Sequence, residues 1–187
     1  MSPAATKPKA SRRTQRSEQV IVFSVASQRF AIALDAVQEI RSADSLAGAA
    51  TELVQTILKK VRHKLERKGR TYYVVNAGQH FGLPVTRPTL VLVLRKSRAC
   101  ALVDRIEEML EIAVVRSLPR AFSGEERRWY RGLALIGDSV IPVVHPSGFL
   151  TPREISLLDA ARAAAAASAD AAATSADAAA TEGAAAQ

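Results

Sequence analysis

Short apolar runs, each bounded by turn-forming residues, are the feature that most restricts the fold of this 187-residue chain. Brief runs rich in Val, Ile and Leu, with Gly, Asp, Ser or Lys between them, are typical of β-strands joined by tight turns. The runs that predict strands are Glu18–Val25, Arg29–Leu34, Thr89–Leu94, Ala99–Val103, Ile112–Val115, Gly132–Ile136 and Val140–Val144. Many short strands of this kind predict a mainly β fold with short helices, arranged as one or more small barrels that are closed or nearly closed.

The segment before the Thr89–Leu94 strand allows two interpretations. In the first, residues 49–58 form a short helix, and the alternating stretch VRHKLER pairs with TYYVV across a Lys68-Gly69 turn. In the second, residues 51–66 form one basic amphipathic helix, because apolar residues recur there at every fourth position. We favour the hairpin, since a glycine followed by Thr, Tyr and Val is typical of a turn that enters a strand.

Composition divides the chain into three regions. Residues 1–17 hold five basic and no acidic residues and little that can be buried, which predicts a disordered basic leader. Residues 18–158 hold nearly all the large apolar residues and predict the folded domain. Residues 159–187 are an alanine-rich, low-complexity tail with a tandem SADAAAT repeat, for which we expect a frayed helix or disorder. The last helix of the domain should begin at Thr151, with Glu154 completing a capping box.

The composition indicates a cytoplasmic protein. Cys100 is the only cysteine, so no intrachain disulfide can form, and this fits a reducing compartment. No apolar run approaches the length of a membrane span, so we expect no membrane insertion. The net charge of +8 comes mostly from the leader.

The sequence offers no catalytic or metal-binding motif. The histidines His63, His80 and His145 are isolated from one another, and the glycines form no phosphate-binding loop. Cys100 lies in a predicted buried strand, where a cysteine acts as a small apolar residue. An acidic cluster follows that strand, and we interpret it as a solvated face: Asp104, Glu107, Glu108 and Glu111. We therefore expect a protein that is not an enzyme and binds no cofactor or metal.

Four segments, taken in order, resemble the CheW-like chemotaxis adaptor family. They are the opening hairpin QVIVFSVASQRFAIALDAVQEI, the Lys68-Gly69 turn with the following strand and Phe81-Gly82, the stretch ALVDRIEEMLEI, and the closing segment GLALIGDSVIPVVHPSGFL. Together they span about 130 residues, roughly Gln19 to Leu150. The chain departs from the family pattern at three positions. Lys68 replaces the turn arginine, Asn76 replaces an aspartate, and His145 stands where the closing hairpin usually has an acid.

The resemblance implies a fold of two small five-stranded β-barrel subdomains with a shared core, plus a C-terminal helix. It also implies a noncatalytic scaffold that couples the regulatory domain of a CheA-type histidine kinase to the cytoplasmic tip of a chemoreceptor. Other CheW-like domains are further partners, and recruitment to membrane-associated receptor arrays follows from the same resemblance. The residues that it places at partner contacts are Val37, Glu39, Lys68, Leu90 and Val91. Plain core packing is the alternative for the three apolar ones, and a solvated turn is the alternative for Lys68.

A nucleic-acid-binding protein is the competing hypothesis. It rests on the basic leader and on the segment Lys59–Arg70, which holds seven Lys and Arg residues of the kind that contact phosphates. We place it second and expect no nucleic-acid partner. Tyr72 and Tyr73 are predicted strand residues, and the sequence contains no helix-turn-helix or exposed aromatic platform that would read bases.

Overall fold

The computed structural model describes residues 17–46, 50–52, 57–84 and 86–184. The predicted basic leader therefore lies outside the described residues, except for Ser17. Two antiparallel-rich β-sheets, two α-helices and several short 3-10 turns make up the described fold. The mainly β prediction with short helices is confirmed.

The first sheet has five strands in the order β10-β11-β2-β1-β9. Their bounds are β1 Glu18–Val25, β2 Gln28–Ala33, β9 Arg105–Ile112, β10 Tyr130–Ile136 and β11 Ser139–Val144. Every pairing is antiparallel except that of β11 with β2. Both predicted hairpins of this sheet are present. Ala26 and Ser27 adopt positive φ values of 49° and 65° in the first turn, and Gly137 has a φ of 58° in the last.

The second sheet has six strands in the order β3-β7-β8-β6-β5-β4. Their bounds are β3 Val37–Ser42, β4 Ala50–Glu52, β5 Val61–Arg67, β6 Arg70–Asn76, β7 Leu90–Leu94 and β8 Ala99–Val103. The β5–β6 pairing confirms the hairpin across Lys68-Gly69 and excludes a single helix over residues 51–66. Helix α1, Ala77–Phe81, follows β6 directly.

Among the described residues, neither sheet closes into a barrel. In the first sheet, Arg116 in the segment after β9 forms one isolated bridge with Leu133 of β10, in which the two residues exchange two backbone hydrogen bonds of 2.8 Å. The second sheet carries a sixth, three-residue strand at one edge. The predicted architecture of two small β subdomains is therefore confirmed, with sheets that do not close fully and with one strand more than expected in the second.

The two sheets share one apolar core, as the family resemblance implied. Its largest cluster joins Ile21 and Phe23 of the first sheet to Tyr73 and Leu92 of the second, all fully buried. Alternation along β1 explains the arrangement, since Val20 and Val22 point instead into a separate cluster inside the first sheet. A third cluster, which includes Cys100, fills the second sheet.

Two local predictions were wrong. The short helix expected at residues 49–58 is contradicted at its start, where Ala50–Glu52 is strand β4; residues 53–56 lie outside the described residues. The acidic stretch after Val103 is strand β9, which extends from Arg105 to Ile112, where we expected a strand only from Ile112 onward. Pairing with the buried strand β1 accounts for this, because a central strand supplies hydrogen bonds to an acidic edge strand whatever its intrinsic β propensity.

The C-terminal helix α2 extends from Pro152 to Ala184. Its start confirms the predicted capping box. The Thr151 Oγ1 accepts a hydrogen bond of 3.2 Å from the Glu154 backbone N–H, and Glu154 Oε2 accepts one of 2.7 Å from the Thr151 N–H. Leu158 packs into the shared core, and the helix continues through the alanine-rich segment. Alanine's helix propensity is sufficient to extend it there, although the segment has no apolar stripe.

Candidate protein-interaction site

Four of the five predicted contact residues lie on two paired strands of the second sheet. Strand β3 forms one edge of this sheet, and its neighbour β7 is antiparallel to it. Val37 and Glu39 occupy the first half of β3, while Leu90 and Val91 pair with Ser42 and Arg41 at its far end. The midpoints of the two pairs are thus about 12 Å apart along the strand, given a rise of about 3.3 Å per residue.

Lys68 lies in the turn between β5 and β6, and it is exposed. Its φ of 48° and the φ of 70° at Gly69 are both positive, as a two-residue hairpin turn with the twist of the flanking strands requires. Glycine takes this conformation without strain, while lysine is held in it by the turn. The side chain of Lys68 therefore projects from a fixed backbone position.

An ion pair between Glu39 and Arg67 brings the β5–β6 turn to the edge strand β3. The same Glu39 carboxylate also contacts Arg41, at 3.4 Å between Oε1 and Nε. Because Arg67 immediately precedes Lys68, this ion pair places Lys68 beside β3 although the two are far apart in sequence. The structure therefore brings Glu39 and Lys68 into one neighbourhood.

The sequence interpretation missed Arg67, yet the pattern that points to it was present. His63 and Leu65 alternate with polar residues along β5, and continuing this period of two places Arg67 on the same face. That face points toward the interior of the second sheet, where Leu65 is buried. A cation on an inward-facing position requires a partner, and Glu39 supplies it.

The apolar candidates are part of the core. Val91 is 0% exposed and packs with Leu65, Val93 and Cys100, so its side chain presents no surface. Val37 is 7% exposed, and Leu90 is half-buried against the shared core. Core packing therefore accounts fully for the apolar side chain at Val91, and in large part for those at Val37 and Leu90.

Val37 also lines an open cleft between the two sheets. The cleft has a volume of about 590 Å³ and is lined by Glu18, Gln19, Leu34, Asp35, Val37 and Arg95. Arg95 is fixed at its edge by a hydrogen bond of 2.9 Å from Nε to the Asp35 carbonyl oxygen. The lining thus combines the apolar side chains of Leu34 and Val37 with charged ones, Glu18, Asp35 and Arg95.

Two of the departures from the family pattern have a structural explanation. Asn76 ends β6 and caps helix α1, because its Oδ1 accepts a hydrogen bond of 3.0 Å from the Gln79 N–H. His145 follows β11 and caps the 3-10 turn Pro146–Gly148, with its Nδ1 accepting a 3.3 Å hydrogen bond from the Ser147 N–H. Both side chains act as hydrogen-bond acceptors at the end of a strand, so neither requires a negative charge for this purpose.

The acidic cluster has structural partners. The Asp104 carboxylate accepts hydrogen bonds from the Ala26 N–H at 2.7 Å and from the Thr86 hydroxyl at 2.6 Å. It thereby fixes the strained first hairpin turn. Glu107 and Glu108 both form ion pairs with Arg29, at 2.9 Å and 2.5 Å. These contacts hold β9 against the first hairpin.

No group of three or more metal-binding side chains occurs among the described residues. Burial raises the pKa of the Cys100 thiol to about 12, so it stays protonated at neutral pH. Burial lowers the pKa of His80 to about 3, which keeps its imidazole neutral. In the part of the chain that the structure describes, no helix is long and apolar enough to cross a membrane.

Comparison with known proteins agrees with this architecture. A family model described as the CheW-like domain matches residues 19–154. Among solved structures, the scaffolding protein TtCheW from Thermoanaerobacter tengcongensis is similar, with a TM-score of 0.60, 16% identity, and coverage of 70% of this chain and 90% of that one. At this identity the likeness concerns the fold. No curated protein sequence matches the chain.

The two sheets around one shared core define a small, mainly β domain with a C-terminal helix. The chain belongs to the CheW-like domain family. This is a family of noncatalytic signalling scaffolds, which is consistent with the expectation that the protein is not an enzyme.

Proposed function

We propose that this protein couples a CheA-type histidine kinase to a chemoreceptor in a chemotaxis or chemosensory-like pathway. The observation that carries the proposal is the position of Lys68, an exposed cation held beside edge strand β3 by the Glu39–Arg67 ion pair. The family match over residues 19–154 supports the same role. The proposed partners are the regulatory domain of the kinase, the cytoplasmic tip of the receptor and other CheW-like domains.

Each candidate residue has a distinct part in this proposal. Lys68 contacts the receptor directly as a point charge, without the planar fork of the arginine that the family usually has. Glu39 acts by fixing the Lys68 turn through Arg67. Val37 contributes the apolar floor of the cleft, and Leu90 and Val91 hold β7 against β3 from the core side. The protein acts in the cytoplasm and joins receptor arrays through these contacts.

Nucleic-acid binding is the second candidate function, favoured by the charge of the β5–β6 hairpin. Arg62, Lys68 and Arg70 are exposed there, as is Lys59 before it. However, Tyr73 is fully buried, and its hydroxyl donates a hydrogen bond to Asp159, so it offers no stacking surface to a base. This observation supports the adaptor over the nucleic-acid reader.

A co-purification of the full chain from its native cells tests the proposal. The wild type should capture a CheA-type kinase and a chemoreceptor. Lys68→Glu should lose the receptor and keep the kinase, because it reverses one exposed charge without removing any packed atom. Arg120→Glu, which reverses an exposed charge on a loop away from β3, is the matched control and should keep both partners. Capture of nucleic acid alone, released by salt, would overturn the adaptor function.

A further inference from the structure

A polar cavity lies where the end of helix α1 and the start of helix α2 meet the loop before β10. Its volume is about 370 Å³, within the range of small-molecule sites. The lining residues come from four separate parts of the chain: Lys60, Gln79, His80, Glu125, Arg128, Trp129, Gly148, Thr151, Arg153 and Glu154. This cavity is separate from the surface around β3 and has no part in the adaptor function proposed above.

The charges around the cavity favour an anion. Lys60 and Glu154 neutralise each other through an ion pair of 2.8 Å. Arg128 and Arg153 are both exposed, and no side-chain hydrogen bond or ion pair is found for either among the described residues. Glu125 is the one other carboxylate in the lining, so the two arginines leave a net positive charge. Arginine is the side chain best suited to bind a carboxylate or phosphate by two parallel hydrogen bonds.

One wall of the cavity is aromatic. The half-buried indole of Trp129 lies 4.6 Å from the His80 ring and 6.0 Å from Phe81, measured between ring centroids. These rings continue into the shared core through Phe30 and Phe149. The Trp129 indole is therefore held rigidly from behind while it lines the cavity in front, which is the arrangement of a stacking surface.

Two buried polar atoms of the lining have no hydrogen-bond partner among the described residues: Oε1 of Gln79 and Nε2 of His80. His80 is 5% exposed. Its Nδ1 lies 3.4 Å from the Lys60 ammonium, which can only donate, so Nδ1 accepts and Nε2 carries the hydrogen. Because both atoms are covered by the surrounding protein, they lie behind the cavity surface, and the exposed arginines and Trp129 are the groups that a ligand would meet first.

We propose that this cavity is a binding site for a small organic anion that carries a planar aromatic ring. The acidic group binds Arg128 and Arg153, and the ring packs against Trp129.

Trp129 is the only tryptophan of the chain, so its indole N–H gives a single reporter signal in a ¹H–¹⁵N correlation spectrum. The full-length protein is titrated with two aromatic anions, benzoate and adenosine monophosphate. Their neutral counterparts, benzamide and adenosine, and inorganic phosphate are titrated in parallel. We expect at least one aromatic anion to shift the indole signal saturably, and the neutral compounds and phosphate to leave it in place.

Variants locate the site. Removing both charges with Arg128→Gln and Arg153→Gln should weaken the binding by about tenfold or more, since each charge-assisted hydrogen bond contributes about that factor. Arg87→Gln, a change of an exposed arginine outside the cavity, should leave affinity unchanged within about twofold, and Glu125→Gln should increase it. The dispersion of the remaining signals verifies that each variant is folded.

Three results would overturn the proposal. They are the absence of a saturable shift with both aromatic anions at concentrations of about 10 mM, equal binding by the neutral compounds or by phosphate alone, and undiminished binding by the double arginine variant. None of these results bears on the co-purification experiment, so the two proposals fail or stand separately.

Discussion

Arg98 and Asp159 form a bidentate ion pair, with 2.6 Å between Nη1 and Oδ2 and 2.8 Å between Nη2 and Oδ1. The fully buried Tyr73 donates a further hydrogen bond of 2.7 Å from its hydroxyl to Oδ1 of the same carboxylate. Arg98 in the β7–β8 turn and Tyr73 on β6 therefore attach helix α2 to the second sheet. Lys60 and Glu154 form a second polar link one turn earlier in the helix.

Removing the Asp159 charge should loosen this attachment. We expect Asp159→Asn to reduce the free energy of unfolding by about 1 kcal/mol, because both partners are about a third exposed and water screens the pair. The melting temperature should fall by about 2–4 °C, measured by circular dichroism. Asp138→Asn, in the exposed β10–β11 turn, serves as the control and should have no effect.

The contribution of Asp159 should also depend on pH. The hydrogen bond from Arg98 lowers the pKa of Asp159 below its usual value, against a smaller opposing effect of burial. A carboxylate with a lowered pKa in the folded state stabilises the protein above its unfolded pKa, and this stability is lost as the pH falls. The difference in melting temperature between wild type and Asp159→Asn should thus be largest at pH 7 and become smaller below about pH 4. A difference that grows on acidification would contradict the ion pair.

Asn76 should be replaceable by aspartate but not by alanine. Its Oδ1 caps helix α1, so Asn76→Ala should cost about 1 kcal/mol, which thermal unfolding can detect. Asn76→Asp keeps the acceptor and should change stability by no more than a few tenths of a kcal/mol. Equal losses in both variants would show that the amide N–H₂ group, rather than the cap, is what position 76 requires.

The Glu39–Arg67 ion pair should be detectable as a coupling energy. Glu39→Gln and Arg67→Gln should each destabilise the protein, and the double variant should lose less than the sum, with a coupling of about 1 kcal/mol in chemical denaturation. Glu39→Gln combined with Arg41→Gln is the comparison, and its coupling should be smaller because the separation there is 3.4 Å. Strictly additive effects on stability would contradict a link between β3 and the Lys68 turn through the Glu39–Arg67 ion pair.

Cys100 should not react with thiol reagents in the folded protein. Cys100 is 0% exposed, so a reagent cannot reach its sulfur. Burial also raises the pKa of the thiol to about 12, so the reactive thiolate does not form. A chromogenic disulfide reagent at pH 8 should label it only after denaturant is added. Rapid stoichiometric labelling of the native protein would contradict the position of β8 in the core.

Local signals in the sequence were sufficient for much of the fold. Turn residues and apolar runs located both hairpins of the first sheet and the β5–β6 hairpin, and the capping residues Thr151 and Glu154 located the start of α2. The acidic strand β9 was missed because half of its residues are charged and Glu108 interrupts the two-residue alternation of Ile106, Leu110 and Ile112. It is a strand because β1 pairs with it and Arg29 neutralises two of its carboxylates.

The sequence marks the residue types at the candidate site but not their depth. The Glu39–Arg67 ion pair joins β3 to the strand that precedes the Lys68 turn, while the resemblance also named Val91, which is fully buried. Periodicity shows which residues of a strand share one face of the sheet. Where both faces are covered, periodicity does not show which face leaves a valine accessible to a partner.

The amino-acid sequence by itself determined the β-rich class, the hairpin turns, the helix start and the family, since each rests on residues close together in the chain or on their order along it. The tertiary structure alone decided the joining of Glu39 to Arg67, the attachment of α2 by Arg98 and Asp159, and the cavity beside Trp129. Each of these brings together residues from different strands, turns or helices. Their proximity depends on how the two sheets close around the shared core, which no local pattern encodes.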